Sequence, residues 1–462
     1  MIVSPSLAFL VCSVLLVIGG IAVRTLNRPK AQFAFNVLLM AILLAIAAVL
    51  MLTGSKGSYF SLISVNPFSL FFIFLFTLGM LLVNIVAFST SKNYADFSVL
   101  ANFALIGMYI VASSLSLIGI FIGLELASLP AVFIILLERR AIEPAAKFFI
   151  MASIAIALFS FATVLTYGST NSFMLQQYSG SGILLFAAVL FIASIGFDAS
   201  IFPFNVLIPD VYEGSPSYIT SMLGGVNKKM GFAALIQVLI LIFIAYKTTF
   251  MVIAILSVFT MFYGNIVALL QSNIKRMLAY SSISQAGYIL IGIAAEGQAG
   301  LAASLVQIFA HMFLFVGIMA VVAVLERRNR VQIDEYIGLN DENRFAAFAI
   351  AVFMLSLIGM PFTTGFIGKL LIFVSAVNAN LTWLAVIGIV NSIISIFYYL
   401  KVIMAMYTSK ANPKNLVLGR GVTAVVWVCL ALTILLGIYP VPLINIANGA
   451  AGYLFSITSH VM

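Results

Sequence analysis

The chain consists of long runs of apolar residues separated by short polar breaks. A helix of about 20 apolar residues spans the hydrocarbon core of a bilayer, so each run predicts one transmembrane helix. The first run has no basic segment before it and no small-residue cleavage pattern after it, and we expect it to be retained rather than removed as a signal peptide. About fourteen helices are predicted, near residues 4–23, 33–52, 66–88, 96–113, 115–137, 145–166, 183–204, 216–245, 250–270, 277–294, 301–325, 345–376, 383–405 and 422–445.

Composition supports a membrane protein and excludes an ordinary soluble domain. Of the 462 residues, 64% are hydrophobic and 8% are charged, whereas soluble globular chains carry about 25% charged residues. The apolar runs are continuous rather than short and alternating, which favours helices over a β-barrel. The predicted fold class is therefore an all-α polytopic membrane protein.

The distribution of Lys and Arg predicts how the chain is oriented in the membrane. Loops after odd-numbered helices hold fifteen of the 22 basic residues, and loops after even-numbered helices hold two, Lys56 and Lys247. Basic loops stay on the cytoplasmic side, so we expect a multi-pass protein of the cell membrane with both termini outside the cytoplasm. The net charge of +9 is then a consequence of topology, and no nucleic-acid partner is expected.

The two cysteines, Cys12 and Cys429, both lie within apolar runs and form no C-x-x-C motif. This excludes iron–sulfur ligation by the chain and disfavours a structural disulfide. We expect no cofactor and no metal ion in this chain, so redox chemistry would belong to partner subunits.

Two predicted helices are interrupted by proline. The seventh ends in Ile201-Phe202-Pro203-Phe204, and the twelfth contains Gly359-Met360-Pro361-Phe362. A matched pair of broken helices is typical of transporters built from inverted repeats, although ordinary proline kinks would give the same pattern. The repeat hypothesis predicts two inverted five-helix units between an N-terminal and a C-terminal region: 1–95 (helices 1 to 3), 96–246 (helices 4 to 8), 247–408 (helices 9 to 13) and 409–462 (helix 14).

Several ionisable residues fall inside predicted helices, where each costs about 2.5–3.5 kcal/mol on insertion scales. A line of buried acids and bases can pass protons through bound water. For Glu125 a structural salt bridge is the alternative, and His311 is weaker evidence because a lone histidine is often a hydrogen-bonded core residue. The candidate proton-transfer residues are Glu125, Asp198, Lys228, Lys229, Lys369 and His311.

Other charged residues near the helix ends have simpler interpretations. Lys147 and Lys401 are expected to extend their ammonium groups to the membrane surface. The acidic pair Asp210 and Glu213 falls in a predicted loop, where we expect it to be solvated.

Three motifs resemble those of a known family: Pro209-Asp210-Val211-Tyr212-Glu213-Gly214-Ser215-Pro216, the stretch from Asn273 to Tyr288, and Gly365-Phe366-Ile367-Gly368-Lys369. They are similar to the signatures of subunit N of complex I, the antiporter-like membrane subunit of NADH-quinone oxidoreductase and of archaeal enzymes that oxidise reduced deazaflavin. The resemblance runs from about Gly123 to Tyr399. It implies about fourteen helices, a proton-translocating role, and other membrane and peripheral subunits as partners.

The resemblance also implies roles for individual residues. Glu125 matches the essential glutamate of the fifth helix, Lys228 the central lysine of the eighth, and Lys369 the lysine of the second broken helix. At Asp198, however, the family carries a lysine that pairs with the glutamate. Two facing acids would share a proton unless Lys228 or Lys229 approaches one of them directly or through water.

The resulting hypothesis is that electron transfer in partner subunits drives protonation changes along these residues and moves ions outward. One alternative is a subunit of a multi-subunit cation/proton antiporter, in which the oxygens of Glu125 and Asp198 bind Na⁺. Another is a structural membrane subunit that no longer conducts. The sequence alone leaves open whether the ion is H⁺ or Na⁺, and which electron donor and acceptor are used.

Overall fold

The computed structural model describes residues 14–16, 18–20, 24–25, 28–59, 62–138, 141–178, 182–409 and 415–459. Within them the chain is almost entirely α-helical, with one two-stranded hairpin. Helices suit a bilayer because they satisfy their own backbone hydrogen bonds where water is absent. The first predicted helix, near 4–23, falls largely outside the described residues.

The helices follow one another in the order α1 Pro29–Leu52, α2 Pro67–Thr90, α3 Tyr94–Ser113, α4 Leu117–Leu136, α5 Ile142–Thr170, α6 Gly182–Ala199, α7 Ile208–Gly214, α8 Ser217–Met222, α9 Lys228–Leu241, α10 Lys247–Leu269, α11 Ile274–Ala294, α12 Gln298–Glu326, α13 Leu339–Glu342, α14 Arg344–Ile358, α15 Thr364–Asn378, α16 Thr382–Tyr407, α17 Arg420–Ile438 and α18 Val441–Ser459. A π-helical turn, Leu223–Asn227, joins α8 to α9, and a 3₁₀ turn, Ile333–Tyr336, precedes α13. Strands β1 Gly57–Tyr59 and β2 Ile63–Val65 pair antiparallel.

In the described part of the chain, eleven helices are long and apolar enough to cross a membrane, and α14, α15 and α18 are shorter apolar helices. The predicted helical membrane fold is confirmed at this level. The C-terminal prediction is wrong in detail: the helix predicted near 422–445 ends at Ile438, and a separate helix begins at Val441. Pro440 lies between them, and its missing N–H prevents a continuous helix.

Local sequence explains where individual helices begin and end. Asn66 caps α2 by accepting a hydrogen bond from the backbone N–H of Ser69, and Pro67 occupies the first helical position. α14 ends at Ile358, and the next residue, Gly359, has a φ of +102°, a left-handed conformation that a glycine adopts without strain.

Helices α11 and α12 lie at the centre of the bundle. α11 is buried along its whole length except at Arg276, and α12 is buried over nearly all of its length. α10 packs tightly on α11, since a Cβ built on Gly264 would lie 2.5 Å from the backbone nitrogen of Ser284. A helix surrounded by protein rather than lipid can carry polar side chains, and α11 carries several.

Candidate functional site

Both predicted helix breaks are present. α6 ends at Ala199 and regular helix resumes at Ile208, while α14 ends at Ile358 and α15 begins at Thr364. Each break releases backbone carbonyl groups from helical hydrogen bonding inside the bundle. Such groups need partners, because an unpaired buried carbonyl is costly in a bilayer.

Lys369 occupies the second break. Its ammonium group donates hydrogen bonds to the carbonyl oxygens of Leu357, at 2.7 Å, and Ile358, at 2.9 Å, and to Oγ of Ser392, at 3.0 Å. It also lies 4.4 Å from the ring centroid of Tyr288. The last carbonyls of a helix and an aromatic face both attract a cation, so these contacts stabilise an ammonium group against the cost of burying it.

Lys228 and Lys229 begin α9 directly after the π-helical turn, and their side chains diverge. Nζ of Lys228 lies 2.5 Å from the carbonyl oxygen and 3.0 Å from Oγ of Ser282, on α11. Nζ of Lys229 lies 2.6 Å from Nδ1 of His311, on α12, and 3.2 Å from the carbonyl oxygen of Gly224. The two adjacent lysines therefore contact different helices.

Asp198 is the penultimate residue of α6, and its backbone packs directly against α9. A Cβ built on Gly231 would lie 2.8 Å from the Cβ of Asp198. Asp198 and Lys228 line the same cavity, whose volume of about 30 Å³ is sufficient for a water molecule. In the part of the chain that the structure describes, neither Lys228 nor Lys229 forms an ion pair with Asp198. Any approach of Lys228 to Asp198 therefore passes through the cavity.

Glu125 lies near the middle of α4 and is half-buried. It is near enough to Asp198 for the two negative charges to repel each other. Among the described residues, Glu125 has no hydrogen-bonding or ion-pair partner that could neutralise it. The structural salt bridge considered for Glu125 is therefore not formed within these residues.

An amide network that sequence reasoning missed connects α11, α12 and the second break. Nε2 of Gln307 donates to Oε1 of Gln285 at 2.9 Å, and Nε2 of Gln285 donates to the carbonyl oxygen of Leu357 at 3.2 Å. Lys369 shares that carbonyl. The signal for this network in the sequence is the presence of uncharged polar residues within otherwise apolar helices.

The interpretation of Asp210 and Glu213 as solvated loop residues is wrong. Asp210 lies on α7 and pairs with Lys147 at 2.9 Å and with Arg276 at 2.7 Å, and Arg276 also pairs with Glu213 at 2.9 Å. Burial tends to raise the pKa of Asp210, but hydrogen bonds from Lys147 and Arg276 outweigh it and hold that pKa below its ordinary value. The network ties α7 to α5 and α11, next to the first break.

A polar pocket of about 280 Å³ lies beside this network. Its lining includes three acids and two bases: Glu138, Glu213, Glu326, Lys275 and Arg327. Within the described residues, no group of three or more His, Cys, Asp or Glu side chains is arranged to hold a metal ion.

Comparison with known proteins places this geometry in a family. Residues 114–395 match the family described as NADH:quinone oxidoreductase/Mrp antiporter, TM. The F(420)H(2) dehydrogenase subunit N of Methanosarcina mazei is 32% identical over 415 residues, which cover 84% of each chain. The NADH-quinone oxidoreductase subunit N of Desulforamulus reducens is 29% identical over 453 residues, which cover 94% of each chain.

Solved structures agree. A chain of respiratory complex I from Thermus thermophilus, with bound aureothin, superposes with a TM-score of 0.84 at 27% identity, covering 94% of this chain and 98% of that one. A chain of the Mrp complex from Dietzia gives a TM-score of 0.92 at 18% identity, covering 98% and 99%, which is a likeness of fold alone. The resemblance to subunit N is confirmed, and the chain belongs to the NADH:quinone oxidoreductase/Mrp antiporter transmembrane family.

Proposed function

We propose that this chain is the proton-translocating membrane subunit of a complex I-like respiratory oxidoreductase. The observation that carries the proposal is a set of ionisable groups inside the bundle: the partly buried Glu125 and Asp198 and the fully buried Lys228 and Lys369, with a water-sized cavity lined by both Asp198 and Lys228. Bringing so many ionisable groups into a bilayer is costly, and ion transfer is the activity that uses them.

The first half of the path runs from the acids to the lysines of α9. Charging either of the acids Glu125 and Asp198 opposes charging the other, so we expect at least one of them to hold a proton. The cavity between Asp198 and Lys228 has room for a water molecule that could move this proton to the lysine. Lys229 and His311 form a second, branching pair of proton carriers.

The second half of the path ends at Lys369. Its surroundings of carbonyl and hydroxyl oxygens favour the ammonium form, whereas an incoming charge on Lys228 would oppose it. A proton arriving from the first half would therefore displace one already held at Lys369. Alternation between these two states would move ions in one direction when partner subunits change the charge near Glu125.

Asp198 alters the family's arrangement in a physically specific way. It lies at the carboxyl end of α6, where the partial negative charge of the helix dipole repels a carboxylate and would attract a lysine. By the family resemblance, this site therefore supplies an acid where a base is expected. The proton taken up at the first break would come from a carboxylic acid.

We infer that the electron-transfer steps take place in partner subunits. The relatives that match over most of their length are subunits of F(420)H(2) and NADH-quinone oxidoreductases, which supports such an assembly. For the antiporter alternative the similarity to the Mrp chain concerns the fold alone, so it does not favour Na⁺ exchange. We propose H⁺ as the ion.

The same family relationship supports the finer architecture predicted from the sequence. We propose fourteen transmembrane helices in which 96–246 and 247–408 form inverted repeats, each containing one broken helix. Both termini would then lie outside the cytoplasm, in the cell membrane. The paired breaks near Pro203 and Pro361 support this repeat assignment.

Proton pumping by the intact complex in sealed membrane vesicles tests the proposed function. Lys228→Ala should abolish donor-driven acidification while the complex still assembles. Lys401→Ala is the matched control, because Lys401 is an exposed lysine at the end of α16, and it should pump normally. Normal pumping by Lys228→Ala, or acidification that requires Na⁺, would refute the proposal.

A further inference from the structure

Gly231, on α9, lies where the end of α6 packs against that helix. A Cβ built on Gly231 would lie 2.5 Å from the backbone nitrogen of Ala199 and 2.7 Å from the carbonyl carbon of Asp198. Non-bonded carbon atoms pack at about 3.5–4.0 Å, so the helices in this arrangement leave no room for a side chain. The crowding atoms belong to the main chain of α6, and they can move only if the end of that helix moves.

Gly231 also lies on the face of α9 that carries Lys228. Residues three apart on an α-helix are neighbours on its surface. The glycine therefore leaves room for the end of α6 beside the lysine, and Asp198 and Lys228 line the same cavity of about 30 Å³. A larger residue at position 231 would push Asp198 away from α9.

The end of α6 has a defined shape, so Asp198 cannot adjust separately from it. Ser200 follows the helix with a left-handed φ of +60°. The backbone N–H of Ile201 donates to the carbonyl oxygen of Gly196 at 2.7 Å. The N–H of Ser200 donates to the carbonyl oxygen of Phe197 at 3.0 Å. These are the two hydrogen bonds of a Schellman motif, and Asp198 lies within it.

A second helix, α10, holds the chain that leaves α6. The backbone N–H of Phe202 donates to Oγ1 of Thr260 at 3.2 Å. The same hydroxyl donates to the carbonyl oxygen of Leu256, within α10, and this bond fixes its orientation. Thr260 is fully buried. The end of α6 and the residues after it are therefore held by both α9 and α10.

Helix propensity does not explain a glycine at this position. Glycine is a poorer helix former than alanine, so alanine at position 231 would favour α9 itself. The close approach of α6 is the physical reason for a residue without a side chain. Gly231→Ala therefore opposes the contact between the helices while it favours the helix that carries it.

We propose that Gly231 and Thr260 are positioning residues, which hold the end of α6 against α9 and α10 so that Asp198 and Lys228 share one cavity. Gly231 sets the distance between α6 and α9, and Thr260 holds the chain beyond α6. Neither residue carries the proton. This inference rests on the proposed function, because it explains how an acid and a lysine of that relay are kept together.

Gly231→Ala tests the distance between the helices. In sealed vesicles carrying the intact complex, it should lower protons pumped per electron about tenfold or more, because a misplacement of about 1 Å can cost this much where reacting groups must be aligned. Adding Asp198→Glu lengthens the acid by one methylene group and should restore much of the lost pumping. A glycine that served packing alone would give no such rescue.

Gly292→Ala is the matched control, with the amount of assembled complex measured for each variant. Gly292, on α11, packs closely on α12, since a Cβ built there would lie 2.6 Å from the carbonyl oxygen of Gly300. The atoms nearest to that Cβ belong to Gly300 and Ser304 rather than to a residue of the relay. Per assembled complex, Gly292→Ala should pump normally.

Thr260→Val and Thr260→Ser test the second contact without adding bulk. Valine has the shape of threonine but no hydroxyl to accept from Phe202, so Thr260→Val should lower protons pumped per electron several-fold. Thr260→Ser keeps the hydroxyl and should pump normally. If Gly231→Ala prevents assembly, this pair of variants tests the proposal by itself.

Normal pumping by assembled Gly231→Ala, or no gain on adding Asp198→Glu, would overturn the role of Gly231. Normal pumping by Thr260→Val would overturn that of Thr260. With Lys228→Ala inactive in the same assay, either result would leave the proposed function standing. If Lys228→Ala also pumps normally, the proposed function itself fails.

Discussion

The side-chain nitrogen of Lys229 lies 2.6 Å from Nδ1 of His311, inside the bundle. At this distance one nitrogen donates and the other accepts, since two cations would repel strongly. If Nδ1 accepts, the imidazole carries its hydrogen on Nε2, which has no partner among the described residues. In that tautomer the pair shares one hydrogen between two bases, and Nε2 of His311 is a donor on its far side.

His311→Phe should reduce pumping several-fold, because among the described residues Lys229 would keep only the carbonyl of Gly224 as a partner. His311→Gln retains an acceptor near the same place and should lose less. Proton pumping by vesicles, normalised to assembled complex, measures both. Equal rates for His311→Phe and the unmodified chain would show that His311 is only a packed core residue.

Lys369→Ala should impair coupled ion transport and leave assembly largely intact. Removing the ammonium group takes one donor from each of the Leu357 and Ile358 carbonyls, which keep Gln285 and Ser392 as donors. A large assembly tolerates this loss better than an unpaired buried charge. The amount of assembled complex and the protons pumped per electron should be measured together. Full pumping with normal stoichiometry by Lys369→Ala would show that Lys369 is not part of the proton path.

Asp198→Lys should be tolerated better than Asp198→Ala. A lysine at the carboxyl end of α6 suits the helix dipole and restores a cation near Glu125, whereas alanine removes the relay group altogether. Measuring the proton-pumping rates of the two variants tests this prediction. The reverse order would mean that the acid itself is required at this break.

Acid should weaken the network around Asp210. The pKa of Asp210 is lowered in the folded chain, so its stabilisation is complete above the ordinary aspartate pKa of about 3.9 and is lost as the pH falls through the lower folded value. Asp210→Asn should therefore lower the thermal unfolding midpoint at neutral pH, at a cost of about 1 kcal/mol. The difference from the unmodified chain should shrink below about pH 4; a constant difference would argue against this electrostatic origin.

Asn329→Cys tests the membrane orientation. Asn329 is exposed in the loop between α12 and α13, among the basic residues Arg327, Arg328 and Arg330. We expect this loop to be cytoplasmic, so a membrane-impermeant thiol reagent should label the variant only after the cells are opened. Labelling in intact cells would reverse the proposed topology.

The membrane class, the two helix breaks and the placement of charges inside helices could be predicted because each follows from a local pattern. A lipid bilayer permits only helices and closed barrels to span it. An ionisable residue within an apolar run is easily recognised in the sequence. The divergence of Lys228 and Lys229 also follows from helix geometry, since adjacent residues point about 100° apart. Their partners, Ser282 and His311, could not be assigned, because they depend on how distant helices pack.

The other differences between the predictions and the structure also arise from contacts between distant helices. Asp210 was expected to be solvated because its bases, Lys147 and Arg276, lie more than sixty residues away in sequence. Contacts between distant helices, rather than residue types, determine these features.

The nearly complete burial of α11 also bears on how the protein is made. Among the long helices of the described chain, α11 has the lowest hydropathy, and its serines and glutamine would meet lipid if it entered the bilayer alone. Its insertion during synthesis should therefore depend on neighbours that arrive before and after it, above all α10 and α12. A nascent chain that stopped at Ala294 would leave α11 without the helix that covers it, and quality-control proteases would be expected to recognise that intermediate first.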